Sequence, residues 1–565
     1  MKRSLSFVLI LMLLLGSLVG CGANEEAKPA EEPAEAETTE TAEGAAKEEV
    51  VYALTTSPSG VFHPLLADST YDVAVNSLVF ASLMTVNPKG EVEPYLATEV
   101  NVSEDGKSIT YKLADNAKWH DGQPVTAADV EFTLTSMADK DYVGSNFNDV
   151  ELIKGAKAYH GGEAEAIEGI VVEDEHTITI AFEEESAPAV TNIGTTGIIP
   201  KHIWEGVAMG EWEQQTELMN KPVGCGPYAL TEFQNDQYVK FEGASDFFLG
   251  EPATKSLIFK VINADTTEAE FAAKTIDIAD VADLSKDDVK ALTDTGLKLV
   301  SYPNYMYQYM GFNLRNPILS DVAVRQAFMY AINRKGIVDE LIEGRGVVVN
   351  VPMLPSGWAY QTGAELNEYP HDVEKAKELL TEAGWADSDG DGILDKDGQN
   401  LSFTLLVGKG NVKREQSALI IQENLKEAGI NIEIETMDFS ALIEQAVTNH
   451  DFELYLMGNT LSVDPDPKPF WHSDAVSDEV GVQGYNIVGY RNDEVDALIE
   501  KGIAELDQAE RAKIYEEYAK ILNQDVPQVF LYCQDIEKVY NPGLTNFEPS
   551  SFNQFYNIHK WSITE

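Results

Sequence analysis

Asp387, Asp389 and Asp391 stand two residues apart and open the run Asp387-Ser388-Asp389-Gly390-Asp391-Gly392-Ile393-Leu394-Asp395-Lys396-Asp397-Gly398. The order follows the first half of a calcium loop. Carboxylates fall at alternate positions, Gly392 makes the sharp turn, Ile393 offers its backbone carbonyl, and Asp395 follows two residues on. The closing position, which asks for a bidentate glutamate, is Gly398. Two readings stand, a structural calcium site or an acidic turn. A second carboxylate, Asp464, lies within Gly458-Asn459-Thr460-Leu461-Ser462-Val463-Asp464-Pro465-Asp466-Pro467-Lys468-Pro469-Phe470. Asp-Pro favours a turn. A carboxylate carried into a dry cleft pairs strongly with a cation and is costly without one. Neither group comes with catalytic machinery. No Gly-x-Ser-x-Gly elbow, His-Glu-x-x-His or phosphate loop is present, and the 9 His are scattered. With 95 acids, some close carboxylate pairs are inevitable. The chain reads as a non-enzyme that requires no cofactor.

The elements that must position these groups are mixed. In the stretch from Pro94 to Thr133, Val100 and Val102 alternate with polar neighbours, as do Ile109, Tyr111 and Leu113. That is the period of half-buried strands, with Asp105-Gly106 as the hairpin turn. Thr126 and Asp129 then form a capping-box variant ahead of a helix. Further strands are expected at 177–182, 257–262, 403–407 and 430–434, and amphipathic helices at 322–333, 373–383, 413–428 and 509–523. In the last of these, Ile514, Tyr518 and Ile521 mark one buried face. An α/β body results, without internal repeats. At 565 residues it exceeds what a single core holds. The net charge of −55, from 40 basic and 95 acidic residues, repels nucleic acid and anionic headgroups.

Residues 1–20 read as a cleaved secretory signal, with Lys2 and Arg3 before the apolar run Phe7 to Leu15. Leu18-Val19-Gly20-Cys21 resembles a bacterial lipoprotein processing site, which implies lipidation of Cys21. More than one acyl chain on that residue would hold the protein stably at a membrane. Residues 21–49 are rich in Ala, Glu, Pro and Thr and lack aromatics. They read as a disordered acidic tether of about 30 Å.

Several sequence words occur in a specific order. Leu96-Ala97-Thr98-Glu99…Lys118-Trp119-His120-Asp121-Gly122-Gln123-Pro124-Val125 is preceded by Phe62-His63-Pro64-Leu65. Pro222-Val223-Gly224-Cys225-Gly226-Pro227-Tyr228, Met310-Gly311-Phe312-Asn313 and Val324-Arg325-Gln326-Ala327 come next. Tyr490-Arg491-Asn492-Asp493 and Val526-Pro527-Gln528-Val529 close the series. Together they resemble solute-binding protein family 5, the peptide and nickel binders of ABC importers, over nearly all of residues 50–565. The resemblance implies a two-lobed, type II periplasmic-binding-protein-like (Venus-flytrap) α/β fold. Lobe I would comprise 50–65, 180–308 and 525–565, with an extra subdomain at 66–179, and lobe II would comprise 309–524. Hinge crossovers are expected near 305–311 and 523–526. By the same resemblance Asp464 receives a ligand's α-ammonium. Gly458, Asn459, Thr460, Leu461 and Ser462, with Thr56 and Ser57, pair with the ligand backbone. Relatives often carry Trp where this chain has Leu461. Cys225 and Cys533 could pair or remain two separate thiols.

The function expected from the resemblance is that of a lipid-anchored extracytoplasmic receptor on the outer face of a bacterial cell membrane. It would capture oligopeptides and deliver them to the transmembrane subunits of an ABC permease. It would be a monomer that touches the membrane only through its anchor and binds no nucleic acid. An oligosaccharide, a nickel chelate or a modified peptide is the alternative ligand, and a surface receptor or hydrolase on the same scaffold is the alternative role.

Overall fold

Strand β1 (Glu49–Leu54) shows why the body has two lobes rather than one layer. Val50, Tyr52 and Leu54 enter one apolar cluster and Val51 and Ala53 another, so both faces of the strand are covered. A strand buried on both sides reads as a continuous apolar run rather than an alternation. Beside β1 lie Ser256–Val261 and Ile278–Asp280, both parallel to it. Tyr238–Gly243 and Tyr228–Gln234 extend the sheet antiparallel. The computed structural model describes residues 46–564 except 68, 143, 145, 361–364 and 483.

The second lobe is built the same way. Phe403, Leu405 and Val407 of strand Ser402–Gly408 face one cluster and Leu406 the other. That strand runs parallel to Asn431–Met437 on one side and to β4 (Leu454–Thr460) on the other. Two connections join the lobes. Strand β2 (Lys298–Pro303) ends one sheet, and β3 (Met306–Phe312) begins the other after two residues. The long strand β5 (Gln528–Tyr540) serves both lobes. Its first half pairs with β3 through Gln528 to Tyr532, and its second half pairs with β2 from Asp535 to Tyr540. The crossovers therefore fall at Asn304–Tyr305 and at Gln534–Asp535. The second is about ten residues later than the expected 523–526, because β5 passes from one sheet to the other without a break. Lobe II accordingly runs from about 306 to 534 rather than 309–524.

The extra subdomain also has different bounds from the expected 66–179. The helix Thr70–Val79 sends Ala74, Val75, Leu78 and Val79 into the lobe I core. Conversely Ile193, Ile198, Trp204, Trp212 and Met219 pack into the subdomain core with Trp119 and Tyr111. Apolar contact, not chain order, defines this core, which runs from about 81 to 219 and also takes in Leu65, Cys225, Phe247 and Phe248. Inside it the hairpin expected around Asp105-Gly106 is present, Ala97–Val102 with Ser108–Leu113, and Gly106 takes φ +65° in its turn. Ile109, Tyr111 and Leu113 are buried, and on the first strand Ala97 and Val100 pack against the same core while Val102 is exposed. Asp129 reaches back to the Thr126 amide at 2.8 Å, as the capping pattern requires.

At the N-terminal side the folded body starts before residue 50. Ala46–Lys47 pairs with Ser562–Thr564, and Lys47 Nζ lies 2.6 Å from Asp277. Residues 46–47 thus lie in a small sheet of their own and Glu49 opens β1, so 46–49 belong to the folded body rather than to a disordered tether. The expected signal, Cys21 and the remainder of the tether lie outside the described residues. Among the described residues no helix is long and apolar enough to cross a membrane.

Candidate functional site

Strand β4 buries Leu454, Tyr455 and Leu456 and then climbs out of its sheet. Its exit is held to β3: Asn459 Nδ2 donates to Tyr307 Oη at 3.3 Å, and the Leu461 amide donates to Tyr305 O at 2.9 Å. The loop then turns back, with the Ser462 hydroxyl and the Asp466 amide both donating to the Asp464 carbonyl. This delivers the Asp464 side chain inward, 5% exposed. Helix α1 (Gln508–Asp525) brings Arg511 to meet it. Arg511 Nη1 and Nη2 lie 2.5 and 2.6 Å from Oδ2 and Oδ1 of Asp464, a bidentate fork. The same guanidinium donates to Tyr515 Oη at 2.9 Å and from Nε to Gly502 O at 2.7 Å. It lies 5.3 Å from the Trp358 ring centre and 5.2 Å from that of Tyr515. Asp464 is therefore not the free carboxylate that the resemblance implies. Its charge is already met from within the chain. Beside it, Asp466 is half-buried, and burial followed by the Asp464 charge raises its pKa.

Ser462 and Val463 face a cavity of about 770 Å³ whose opposite wall belongs to lobe I and its subdomain. That wall mixes Pro64, Phe80, Tyr95 and Phe552 with Ser82, Thr85, Asn192 and Thr196. Asp149 also lines it, accepting from Asn192 Nδ2 at 2.8 Å. No ion pair engages Asp149 among the described residues, and burial pushes its pKa up to about 6, with the Asn192 hydrogen bond acting against that rise. Its folded pKa thus lies above the unfolded carboxylate value of about 3.9. Its contribution to stability is complete below that value and is lost as pH rises through about 6. An Asp149→Asn variant is expected to melt higher than the parent at pH 8 and at the same temperature at pH 4. Equal melting at pH 8 in calorimetry would mean that the carboxylate is well solvated.

The family model for "Bacterial extracellular solute-binding proteins, family 5 Middle" matches residues 91–479. The chain belongs to this family. It is 31% identical over 507 residues to the oligopeptide-binding protein AppA of Bacillus subtilis, covering 89% of this chain and 90% of that one. The solved structure of that AppA with a nonapeptide superposes with a TM-score of 0.76 at 30% identity, covering 92% of this chain and all of that one. Heme-binding protein A of Haemophilus influenzae is 25% identical over 495 residues, 85% of this chain and 86% of the relative. Proteins of family 5 are extracytoplasmic solute-binding proteins with the two-lobed α/β fold.

The other residues expected to form the family 5 site disperse. Leu461 and Asn459 line a second, much smaller cavity with Asp466, Phe470, Trp471, Tyr515 and Tyr518; at about 20 Å³ it holds no more than a water. Gly458 sits where a Cβ would meet Gln308 at 2.8 Å, and Thr460 is exposed. Neither Thr56 nor Ser57 lines the large cavity. Thr56 is exposed, and the Ser57 hydroxyl accepts from the Asp236 amide at 3.0 Å, tying the end of β1 to a hairpin turn. Only Ser462 of the expected backbone-pairing residues faces the large cavity. Cys225 and Cys533 are both buried free thiols. Cys225 belongs to the subdomain core, whereas Cys533 lies on β5 and donates to Asn304 O at 3.0 Å.

Asp387, Asp389 and Asp391 do converge, with one oxygen of each within 4.8 Å of the others, and all three are exposed. Their oxygens also hold the turn together: Asp387 accepts from Gly390 and Gly392, Asp389 from Asp391, and Asp391 from Ile393. Asp395 is engaged elsewhere, accepting from the Ser388 amide and hydroxyl, both at 2.9 Å.

Proposed function

We propose that this protein is the lipid-anchored receptor of an ABC importer, capturing oligopeptides between its lobes and handing them to the permease. The observation that carries the reading is the 770 Å³ cavity walled by lobe I and by Ser462 and Val463 of lobe II. Its volume lies within the range of ligand sites, and its mixed wall suits a ligand with a polar backbone and varied side chains. Two lobes joined at two close crossovers can close on such a ligand by hinge motion. The similarity to a nonapeptide-bound AppA supports the ligand class. Cys21 would carry the anchor, the protein would act as a monomer, and the permease's transmembrane subunits would be its protein partner.

Native mass spectrometry of a soluble form starting at Ala23 tests the reading. A ladder of co-purified peptide masses is expected after denaturation. A single non-peptide mass would transfer the reading to another ligand on the same fold. The Asp464–Arg511 pair gives that second reading a specific footing, because a ligand without an ammonium needs no free carboxylate at this loop.

A structural calcium ion at Asp387, Asp389 and Asp391, with the Ile393 carbonyl and Asp395, is a separate proposal. It is expected to show as a higher Tm in millimolar calcium than in chelator, since a ligand that binds only the folded state stabilises it by mass action. Identical Tm values and no bound metal by elemental analysis would reduce the loop to an acidic turn.

A further inference from the structure

We infer that Asp149, on the wall that the subdomain contributes to the large cavity, receives a cationic group of the ligand, either the α-ammonium of a peptide or a Lys or Arg side chain. The inference rests on the peptide reading above and deepens it, naming a residue that sets specificity and the ligand charge it selects.

Asp149 belongs to the short helix Phe147–Val150 and Asn192 to the helix Ala187–Thr195, whose Val150 and Ile193 enter the subdomain core. Both Asp149 and Asn192 line the cavity. Asn192 Nδ2 donates to Oδ1 of Asp149 at 2.8 Å, and Oδ2 has no donor among the described residues. A neutral amide supplies one hydrogen bond but no counter-charge, so a half-buried carboxylate there retains a charge that a ligand cation can meet. The other carboxylate, imidazole and ammonium groups of the wall are those of Glu93, His559 and Lys560. His559 is buried, and burial, then the Lys560 charge, lowers its pKa to about 4, so it is neutral at pH 7. Lys560 is exposed, where water solvates its charge. Glu93 accepts from Tyr556 Oη at 2.9 Å and is the rival for the same role. Asp149 is favoured because burial alone suffices to push its pKa up to about 6: its charge is poorly hydrated, and a cation there replaces little water. The uncompensated charge costs the empty protein stability, which the higher melting expected of Asp149→Asn at pH 8 expresses. Binding sites are where such costs are retained. Asp464 offers a ligand no comparable gain, because Arg511 already neutralises it.

Three nonapeptide mixtures test this at pH 7, where an α-ammonium is still mostly protonated. All are randomised over uncharged side chains and amidated at the carboxyl end. The first is N-acetylated and carries no cation, the second has a free amino terminus, and the third is N-acetylated with one Lys. They are offered together, in equal amounts, to ligand-stripped parent, Asp149→Asn and Glu93→Gln proteins, and the captured masses are counted. The parent is expected to favour the second or the third mixture over the first by about tenfold or more, as a charge-assisted hydrogen bond does. Which of the two is favoured identifies the ammonium or the side chain as the source of the cation. Asp149→Asn is expected to bring that preference within about threefold while capturing the cation-free mixture as well as the parent does, the sign of an intact cavity. Asp149→Ser is read in the same way, so the answer does not hang on one substitution. Glu93→Gln is expected to keep the preference. No preference in the parent, a preference that survives loss of Asp149, or one that goes with Glu93 instead would overturn the inference and leave peptide capture standing. Capture of none of the mixtures by parent protein that is folded by circular dichroism would overturn the peptide reading and this inference with it.

Discussion

An Arg511→Met variant is expected to lose about 3–5 kcal/mol of stability, and the double variant Arg511→Met/Asp464→Leu to regain most of it. The asymmetry follows from burial. Arg511 and Asp464 are 3% and 5% exposed, so removing the guanidinium strands a carboxylate with no water to solvate it. The neighbouring Asp466, itself raised in pKa by burial and by Asp464, aggravates the stranded charge. Removing both charges leaves an apolar niche beside Trp358 and Tyr515, where aliphatic side chains are at home. The loss also has a mechanical side. Arg511 ties α1 to the loop that carries Ser462 and Val463 to the cavity, so its removal loosens that loop and leaves it held to β3 through Leu461 and Asn459. Urea titration of parent, both single variants and the double variant gives the coupling energy by a double-mutant cycle. A single-variant loss below about 1 kcal/mol would mean that the loop rearranges to hydrate Asp464. Such a loop would also be open to a ligand ammonium.

How much of this was legible in the sequence depends on whether the controlling interaction is local. The helix containing Arg511 was legible, because Ile514 and Tyr518 recur at helical spacing. The observed helix, Gln508–Asp525, differs from the expected 509–523 by one residue at the start and two at the end. Arg511 was overlooked although the same periodicity carries a signal. It stands three residues before Ile514 and seven before Tyr518, squarely in the apolar stripe, where an arginine requires a buried partner. What the spacing cannot say is that this partner is Asp464, 47 residues away. The capping of the helix after Thr126 and the hairpin turn at Gly106 were legible for the same reason that helix ends generally are: their hydrogen bonds close within a few residues. The hinge was misplaced because β5 carries no mark of its double duty. Its run from Gln528 to Tyr540 is one continuous strand, apolar from Val529 to Cys533 and mixed with charged residues after it, and no turn or break marks where its partners change from β3 to β2. Asp149 was invisible, since its role comes from Asn192 and the cavity wall rather than from its neighbours in sequence. The family words, in contrast, were informative over the whole body, because each marks a turn or core position the two-lobed frame requires.

Replacing Cys21 by Ser in the full-length chain is expected to move the protein from the membrane fraction to the soluble fraction of a bacterium that processes lipoproteins. The argument starts from what else could hold the protein to a bilayer. The described body offers no membrane-crossing helix. Its charge of −55 repels anionic headgroups rather than gathering on them. Under the proposed lipoprotein reading, association rests on acyl chains on Cys21, each contributing about 0.8 kcal/mol per buried methylene, and a single chain is marginal where two or more are stable. A serine accepts no thioether-linked lipid. The effect should therefore be nearly complete, and it should leave peptide capture by the released protein unchanged, because Cys21 lies outside the described body, whose strands begin at residues 46–49. Salt washing separates the remaining possibilities: lipid-held protein stays on the membrane at high ionic strength, whereas charge-held protein leaves. If the Cys21→Ser protein stays membrane-bound through such a wash, the anchor lies elsewhere and the lipoprotein reading fails. If it is released and still captures peptides, the anchor serves only to keep the receptor beside its permease, where tethering raises the local concentration of loaded receptor.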